Sequence, residues 1–374
     1  MTIEYSAPTF DIVVEGQSIT TGIGALVQRV EYESAEGLAD VARVRAINPN
    51  FMVSNAKVFQ PGNQMDIWMG YGQDISHIGR VYIIRSVPNY PAEGMPTITV
   101  VGYTKDYQMM DNAPDKSEKR RWQDEPYSTA IEDRADAYGM TKDIDTTPGK
   151  PKPFIQKAGL TDYDFVKALS NITGFYFWVD GDSNGQWTLH FKDPDTYDEQ
   201  DVYHTLKYNQ GNNSSLLSFR PEILIKGART KIVAQVRNRR KGKLLKVEVE
   251  EENTDTPDTS AADQTGDLGG NLTSGTAIKL YINDFAFEVV PNRRITDSEE
   301  LEAWVRQWFR RQRDNFVLAA GQTIGLPSMR ARQTHSIEGV ESGLEGDYYF
   351  AKVKHVCSAN DGYIVNFNAR KVMP

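Results

Sequence analysis

Apolar and polar residues alternate most clearly near the end of the chain. The apolar positions are Val365, Phe367 and Ala369, and the polar positions between them are Asn366, Asn368 and Arg370. A period of two predicts a strand with one buried face. This strand ends a meander of short β-branched and aromatic runs over about 336–370, and a meander in the same format covers about 59–101. The pattern therefore predicts two similar small β-barrels in one chain.

Residues 1–110 are predicted to form the first β-barrel. Glycines and prolines separate its apolar runs at a spacing that is typical of a barrel or a sandwich. The predicted strands lie at Phe10–Val14, Gly24–Tyr32, about 65–71, about 80–87 and about 97–103.

From residue 111 the apolar period changes to that of a helix, and 111–205 are predicted to form a small α+β module. One helix is expected after Pro126. A second helix should begin at Thr161-Asp162, because a side-chain oxygen there can accept hydrogen bonds from the free amides of the first turn, and it should end at Gly174. Two apolar runs, 175–179 and 186–191, then predict a hairpin.

Residues 206–249 and 317–374 are assigned to the second β-barrel, with 250–316 as an insertion. Residues 250–277 are almost all polar or acidic, so we expect a mobile loop that buries too little apolar surface to become ordered. An amphipathic helix is predicted over 297–316. The predicted fold class is thus α+β and β-dominated, with two similar small β-barrels, a small α+β module and a helix-containing insertion.

The helix predicted at 297–316 carries a wide apolar stripe. Its members are Leu301, Trp304, Val305, Trp308 and Phe309. Their spacing places them on one helix face, which is typical of a buried core. The alternative is a subunit interface, where aromatic residues are enriched, and Trp304, Trp308 and Phe309 are the candidate residues for it.

Length and charge narrow the class of protein. A chain of 374 residues predicts about two to four domains. The net charge of -9 opposes general nucleic-acid binding, since such binding needs a positive excess. We find no pattern of a secretory signal and no apolar run long enough to span a bilayer. Cys357 is the single cysteine, so we expect no internal disulfide, no metal and folding in a reducing cytoplasm.

Residues 180–185 fit two functional motifs, and their context argues against both. Their sequence, Asp-Gly-Asp-Ser-Asn-Gly, matches the first half of a calcium loop, but Phe191 stands where that loop needs a bidentate glutamate. It also contains the G-x-S-x-G motif of serine hydrolases, which requires a strand-to-helix turn. A strand is predicted to follow here, so a polar hairpin turn is the preferred interpretation.

No catalytic, cofactor-binding or metal-binding residue is predicted. The histidines, at 77, 190, 204, 335 and 355, show no metal-ligand spacing and are expected on the surface or in strands. The basic run at 237–243 is followed by glutamates, which favours a solvated hairpin tip over a phosphate site. Two other functions stay open: a cell-wall or polysaccharide hydrolase that uses surface carboxylates, and a carbohydrate-binding module that uses Trp122 and Trp187, both expected to be exposed.

The order of several segments along the chain resembles a known family. The segments are Gly70-Tyr71, Gly79–Val81, Ala137–Met140, Gln156, Thr161–Leu169, Gly174–Val179, Leu189–Phe191, Gly346–Tyr349, Val353–Val356 and Gly362-Tyr363. Together they resemble the phage late control protein D family, the tail hub proteins of contractile phages. That family is similar to the N-terminal hub part of type VI secretion spike proteins, and the resemblance covers most of the chain.

The resemblance implies a structural protein of the virion, assembled in the host cytoplasm and placed in the tail baseplate. Hubs of this family are homotrimers with two barrels per subunit, so that three chains present six similar barrels to a hexameric tail tube. The first barrel, 1–110, is expected to face the tube, and the other face seats the central spike. Because the chain stops at Pro374, the spike is expected to be a separate protein. Other baseplate proteins are further expected partners, and no cofactor, membrane insertion or sequence-specific nucleic-acid binding is expected.

Overall fold

The computed structural model describes residues 7–115, 118, 120–148, 153–194, 202–224, 231–237, 244–250, 286–289, 301–302, 304–306 and 317–372. Within them the predicted fold class, α+β and dominated by β-strands, is confirmed. The chain divides into two compact units. The first unit comprises Met1–Asp201, Gly321–Gln333 and Phe350–Phe367, and the second comprises Val202–Ala320, Thr334–Tyr349 and Asn368–Pro374. These units do not test the predicted division into barrels, module and insertion, which stays a prediction.

The strands are numbered in chain order. They are β1 Pro8–Val14, β2 Gln17–Ser18, β3 Val27–Ala35, β4 Val41–Ile47, β5 Gln64–Tyr71, β6 Asp74–Asn89, β7 Thr97–Tyr103, β8 Arg120–Trp122, β9 Thr141–Ile144, β10 Phe154–Gln156, β11 Tyr176–Gly181, β12 Trp187–Lys192, β13 Thr205–Lys207, β14 Leu216–Ile223, β15 Lys231–Arg237, β16 Leu244–Glu250, β17 Ala286–Val289, β18 Val317–Ile324, β19 Gln333–Glu338, β20 Gly346–Ser358 and β21 Gly362–Lys371.

The helices are few and short. The α-helices are α1 Met52–Asn55, α2 Tyr107–Asp111, α3 Tyr127–Ala137 and α4 Asp162–Thr173, and the 3-10 helices are Ile23–Leu26, Pro49–Phe51, Gly211–Asn213 and Ser342–Leu344. Among the described residues, no helix is long and apolar enough to cross a membrane.

A long antiparallel sheet dominates the first unit. Its strand order includes the run β20-β3-β4-β7-β6-β5-β1-β2, and Lys352–Ser358 is the part of β20 that pairs with β3. A strand of the C-terminal meander therefore continues the sheet of the N-terminal meander. Ile12, Met65, Val81 and Val100 are fully buried in this unit, and burying such a side chain stabilises the fold by about 1.5–3 kcal/mol.

The N-terminal strands differ from the prediction in several places. The strand predicted to begin at Gly24 begins at Val27. The reason is local, because the Gly24 amide donates to the Ile19 carbonyl at 2.9 Å and Ile23–Leu26 forms a 3-10 helix. β6 is longer at both ends than the predicted 80–87, and β4 is absent from the prediction.

The helices and the hairpin predicted within 111–205 are confirmed. α4 begins after Thr161, whose hydroxyl accepts a hydrogen bond from the Asp164 amide at 3.1 Å, and it ends at Gly174 with φ 74°. β11 and β12 form the antiparallel hairpin, and β9 adds to β12 in parallel. The apolar faces of α3 and α4 share one buried cluster with this small sheet, which includes Ile131, Phe165 and Phe191.

Some of the described strands of the second unit form short ladders. β13 pairs in parallel with β19, while β15 pairs antiparallel with β16 and in parallel with β17. The Tyr348 ring is fully buried and meets Phe219 edge to face, with ring centroids 5.5 Å apart. Of the mobile loop predicted at 250–277, Glu250 ends β16 and 251–277 lie outside the described residues.

Candidate interface site

The aromatic stripe predicted as a possible interface is described only in part. The described residues 301–302 and 304–306 are helical. Leu301 and Val305 are fully buried there, and Trp304 is half-buried. Trp308 and Phe309 lie outside the described residues. The assignment of Trp304, Trp308 and Phe309 to a subunit interface therefore stays a prediction.

A cluster of exposed apolar side chains lies at the end of the β6–β7 hairpin. We call it the apolar tip and define it as Phe51, Met52, Val87, Tyr90 and Met95, each of which exposes between 45% and 63% of its surface. The rings of Phe51 and Tyr90 meet edge to face with centroids 5.7 Å apart. Single exposed apolar residues are common on protein surfaces, whereas clusters mark interaction sites. The apolar tip is therefore the candidate interface of the first unit.

Strained backbone presents Phe51 to solvent. Asn50 and Phe51 have φ of 49° and 60°, in the left-handed region that costs a residue with a side chain about 1–2 kcal/mol. The buried Asn48 holds this corner, because its Oδ1 accepts from the amides of Val53 at 3.0 Å and Ser54 at 3.3 Å. Its Nδ2 also donates to the Ser54 hydroxyl at 2.7 Å. Strain of this kind persists where the surroundings enforce it, and it is concentrated at functional sites.

The β6–β7 hairpin is tied to the same corner. The Asn48 amide donates to the Pro96 carbonyl at 2.8 Å. β6 and β7 pair as far as Asn89 opposite Thr97, so that 90–96 form the loop. The apolar tip is thus held by backbone hydrogen bonds from both of its segments and is formed before any partner binds.

The corresponding hairpin of the C-terminal meander ends in polar residues. Its loop, 359–361, joins β20 to β21. The Ser358 hydroxyl donates to the Asp361 carboxylate at 3.0 Å, and Arg29 donates to the same carboxylate at 2.6 Å. The two meanders therefore share a strand format but carry different tips, one apolar and one charged.

Residues 180–185 form a hairpin turn, as predicted. The Asp182 carboxylate accepts from the amides of Asn184 at 3.0 Å and Gln186 at 2.7 Å. Gly185 takes a φ of 95°, which only glycine adopts without strain. β12 follows directly, so Ser183 does not lie at the strand-to-helix turn that the hydrolase motif requires.

Trp122 and Trp187 are buried, and the expectation that they are exposed is wrong. Each is only 5% exposed. Trp122 stacks between Phe154 and Phe165 at centroid distances of 5.3 and 5.2 Å, and Trp187 stacks on Tyr82 at 5.3 Å. Aromatic neighbours that are distant in sequence cover both rings. The carbohydrate-binding alternative loses the observation on which it rested.

The histidines take part in packing and hydrogen bonding. His355 is fully buried in β20, and its Nε2 donates to the Met329 carbonyl at 2.8 Å while its Nδ1 accepts from the Tyr363 hydroxyl at 2.9 Å. Burial lowers the pKa of His355 to about 3, so the imidazole stays neutral. His77 contacts Asp66 at 2.9 Å. Within the described part of the chain, no three His, Cys, Asp or Glu side chains are grouped as metal ligands.

The comparisons with known proteins define the class of fold. The chain shares its fold with a 43 kDa tail protein of the prophage MuSo2 from Shewanella oneidensis, at 12% identity and a TM-score of 0.68 over 98% of both chains. A tail protein from Neisseria meningitidis MC58 matches at 10% identity and a TM-score of 0.67, over 98% of this chain and 97% of that one. The Escherichia coli c3393 protein is described as a component of the type VI secretion system. It matches at 10% identity and a TM-score of 0.54, over 92% of this chain and 73% of that one. This protein therefore has the fold of phage tail proteins.

A family model gives the family of the chain. Residues 6–359 match the model described as the Alg8 N-terminal domain, and the chain belongs to that family. This description names a domain and states no activity. No curated protein matches the sequence.

Proposed function

We propose that this protein is the hub of a phage tail baseplate, or of a phage-derived injection particle, of the late control protein D type. Three copies form an adaptor that joins the hexameric tail tube to the central spike. The partners are the tail tube protein, the central spike protein and other baseplate proteins. The hub is assembled in the host cytoplasm and becomes part of the virion, and its role is structural rather than catalytic.

The observation that carries this proposal is the match of the whole chain to whole tail proteins. The shared fold covers 98% of this chain and 98% of the MuSo2 tail protein, and this likeness over the whole of both chains supports a structural role in a tail. The c3393 protein adds a second link, since its description combines type VI secretion with similarity to the phage T4 tail proteins gp27 and gp5.

The internal repeat fits an adaptor between threefold and sixfold symmetry. A closed oligomer contacts its neighbour through the same surface on every subunit. Three chains can meet six tube subunits only if each chain offers two similar faces. The two meanders, about 59–101 and about 336–370, supply such a pair.

We assign the apolar tip to the contact with the tail tube protein. Its aromatic side chains are held in place before binding, and a few buried aromatic residues commonly supply most of the binding free energy of an interface. The preformed backbone around Asn48 avoids the entropic cost of ordering a loop on binding. Phe51 and Tyr90, which contact each other, are the central pair.

Co-expression with the tail tube protein of the same phage or prophage tests this function. The double variant Phe51→Ser/Tyr90→Ser should fold, because both side chains are exposed, and it should bind the tube protein about tenfold or more weakly. Ile155→Ser is the matched control, since Ile155 is 55% exposed elsewhere in the first unit, and it should bind like the wild type.

The possible outcomes test the assignment of the apolar tip separately from the hub function. Equal binding by all three proteins would contradict the assignment of the apolar tip and leave the hub intact. A wild-type protein that binds neither tube nor spike protein would contradict the hub itself. Clearing of purified cell wall by the wild type, lost on replacement of one surface carboxylate, would support a hydrolase instead.

A further inference from the structure

A row of side chains on the long sheet of the first unit leads from the apolar tip to two arginines. Residues directly opposite each other in an antiparallel sheet point to the same face. Val87 of β6, a member of the apolar tip, lies opposite Thr99 of β7. Thr99 lies opposite Arg45 of β4, which in turn lies opposite Arg29 of β3. The apolar tip and these two arginines therefore share one face of the sheet.

A second row lies beside the first, one step farther from the apolar tip. Arg85 of β6 lies opposite Val101 of β7, and Val101 lies opposite Arg43 of β4. The other face of these strands belongs to the core, and its fully buried members include Val30, Val44 and Val100. The two rows thus bring four arginines to the outer face. We call them the arginine rows and define them as Arg29, Arg43, Arg45 and Arg85.

The glutamates of the same face are already occupied by cations of the sheet. Glu31 lies 2.6 Å from Arg29 Nε and 2.8 Å from Lys354 Nζ. Burial opposes ionisation of Glu31, but the hydrogen bonds from Lys354 and Arg29 hold its pKa below the ordinary value. Glu33 lies 2.9 Å from Lys352 Nζ. Both glutamates are therefore neutralised within the sheet.

Two of the four arginines have no acidic partner. Arg45 and Arg85 are exposed, and neither forms an ion pair or a side-chain hydrogen bond with a residue that the structure describes. Arg45 also lies directly opposite Arg29, and like charges in that position destabilise a sheet. The folded chain therefore keeps an electrostatic cost at this face, and an acidic partner would remove it.

The outer face is positive although the chain as a whole is acidic. Six basic side chains meet three carboxylates there. The basic side chains are Arg29, Arg43, Arg45, Arg85, Lys352 and Lys354, and the carboxylates are Glu31, Glu33 and Asp361. The net charge of the chain is -9. A positive face on an acidic protein attracts an acidic partner and orients it during approach.

An acidic protein surface fits this face better than a nucleic acid does. Glu31 and Glu33 lie between the basic side chains, and the charge of the whole chain repels phosphate groups. The first row also ends in the apolar tip, which needs an apolar counterpart. Arginine and aromatic residues are both enriched at protein–protein interfaces.

We propose that the tail tube protein covers the apolar tip and the arginine rows together, with acidic side chains over Arg45 and Arg85. This inference rests on the proposed function, and it adds the chemistry of the partner: an apolar centre bordered by carboxylates. Exposed charges at such a border mainly set the association rate, whereas buried apolar anchors mainly set the dissociation rate.

Binding kinetics with the tail tube protein of the same phage or prophage test the proposal. At low salt, Arg45→Glu/Arg85→Glu should lower the association rate constant about tenfold or more and change the dissociation rate constant less than about threefold. Salt at about 500 mM should remove most of this difference, since it screens exposed charges. Phe51→Ser/Tyr90→Ser should instead act mainly by raising the dissociation rate constant.

The matched control is Arg121→Glu/Lys157→Glu. Both residues are exposed in the same unit, at β8 and just after β10, and the control changes the net charge by the same amount. Its association rate constant should stay within about twofold of the wild type. Arg45→Glu turns the like-charged pair with Arg29 into an oppositely charged one, so the urea midpoint of the arginine variant should not fall.

Four outcomes would overturn the inference. Equal association rates in the wild type and Arg45→Glu/Arg85→Glu, or equal slowing in the control, would do so and leave the hub function standing. A variant that no longer forms the trimer of the wild type would assign the arginine rows to a subunit contact. A variant that binds the tube protein normally but loses binding to a DNA duplex would assign them to phosphate. The hub function itself fails only if the wild type binds neither tube nor spike protein.

Discussion

At Gly79 in β6 there is no room for a side chain, because the ring of Tyr32 covers the position. An added Cβ atom would lie 2.2 Å from Cζ of that ring, and Tyr32 is only 1% exposed. Gly79→Ala should lower the free energy of unfolding by about 1–3 kcal/mol in urea titrations. Gly343→Ala is the control, since a Cβ there meets nothing within 4 Å. Equal stability of the two variants would contradict this packing.

The buried carboxyl of Asp106 makes stability depend on pH. Burial raises its pKa to about 7, although the Thr104 hydroxyl donates to it at 2.7 Å. Because this value lies above the 3.8 expected for an unperturbed aspartate, folding favours the protonated form. The resulting stabilisation is fully present below about pH 4 and is lost as the pH rises to about 7.

The variant Asp106→Asn isolates this contribution. Relative to the variant, the unfolding free energy of the wild type should fall by about 2–4 kcal/mol between about pH 4 and pH 7.5. Urea titrations at several pH values measure it. If the unfolding free energies of the two proteins change with pH in the same way, Asp106 keeps an ordinary pKa.

The surroundings of a single residue could be predicted from the sequence where its neighbours are close along the chain. The prediction of a hairpin turn around Asp182 was correct, because the hydrogen bonds of this turn reach only two and four residues along the chain. The prediction that Trp122 and Trp187 are exposed was wrong, because the rings that cover them come from other elements.

At the scale of elements, α4 shows how a local cap sets a helix boundary. The Thr161 hydroxyl accepts from the Asp164 amide at 3.1 Å. Thr161→Ala should lower the free energy of unfolding by about 1 kcal/mol, within a usual range of about 0.5–2 kcal/mol. Thr161→Ser keeps the hydroxyl and should stay within about 0.5 kcal/mol of the wild type. If both variants lose the same unfolding free energy, the hydrogen bond of the cap contributes nothing to stability.

Strand β4 was missed because its pattern is not that of a half-buried strand. Val41, Ala42, Val44 and Ala46 are all buried, so apolar positions occur next to each other and the alternation is broken. Alanine also has a low intrinsic preference for strands. β4 is a strand because β3 and β7 pair with it on both sides, and these partners are not visible in a local window.

At the scale of the whole molecule, the repeat of two meanders predicted two similar barrels, and the order of segments along the chain carried the resemblance to phage tail hub proteins. Similarity over 98% of both chains shows that this chain has the fold of a phage tail protein. The chemistry of the two hairpin ends was not predictable, because it depends on which loop side chains remain exposed. The apolar tip and the charged 359–361 loop differ, so the sixfold match of the proposed trimer to the tube would be approximate, with three tips of each kind.

The mass of the purified chain in solution tests the central claim most directly. Sedimentation at micromolar concentration should give about 126 kDa, three times the 42.1 kDa of one chain. Dilution should leave this mass unchanged, because a baseplate hub needs a permanent trimer. A mass near 42 kDa at every concentration would contradict the hub.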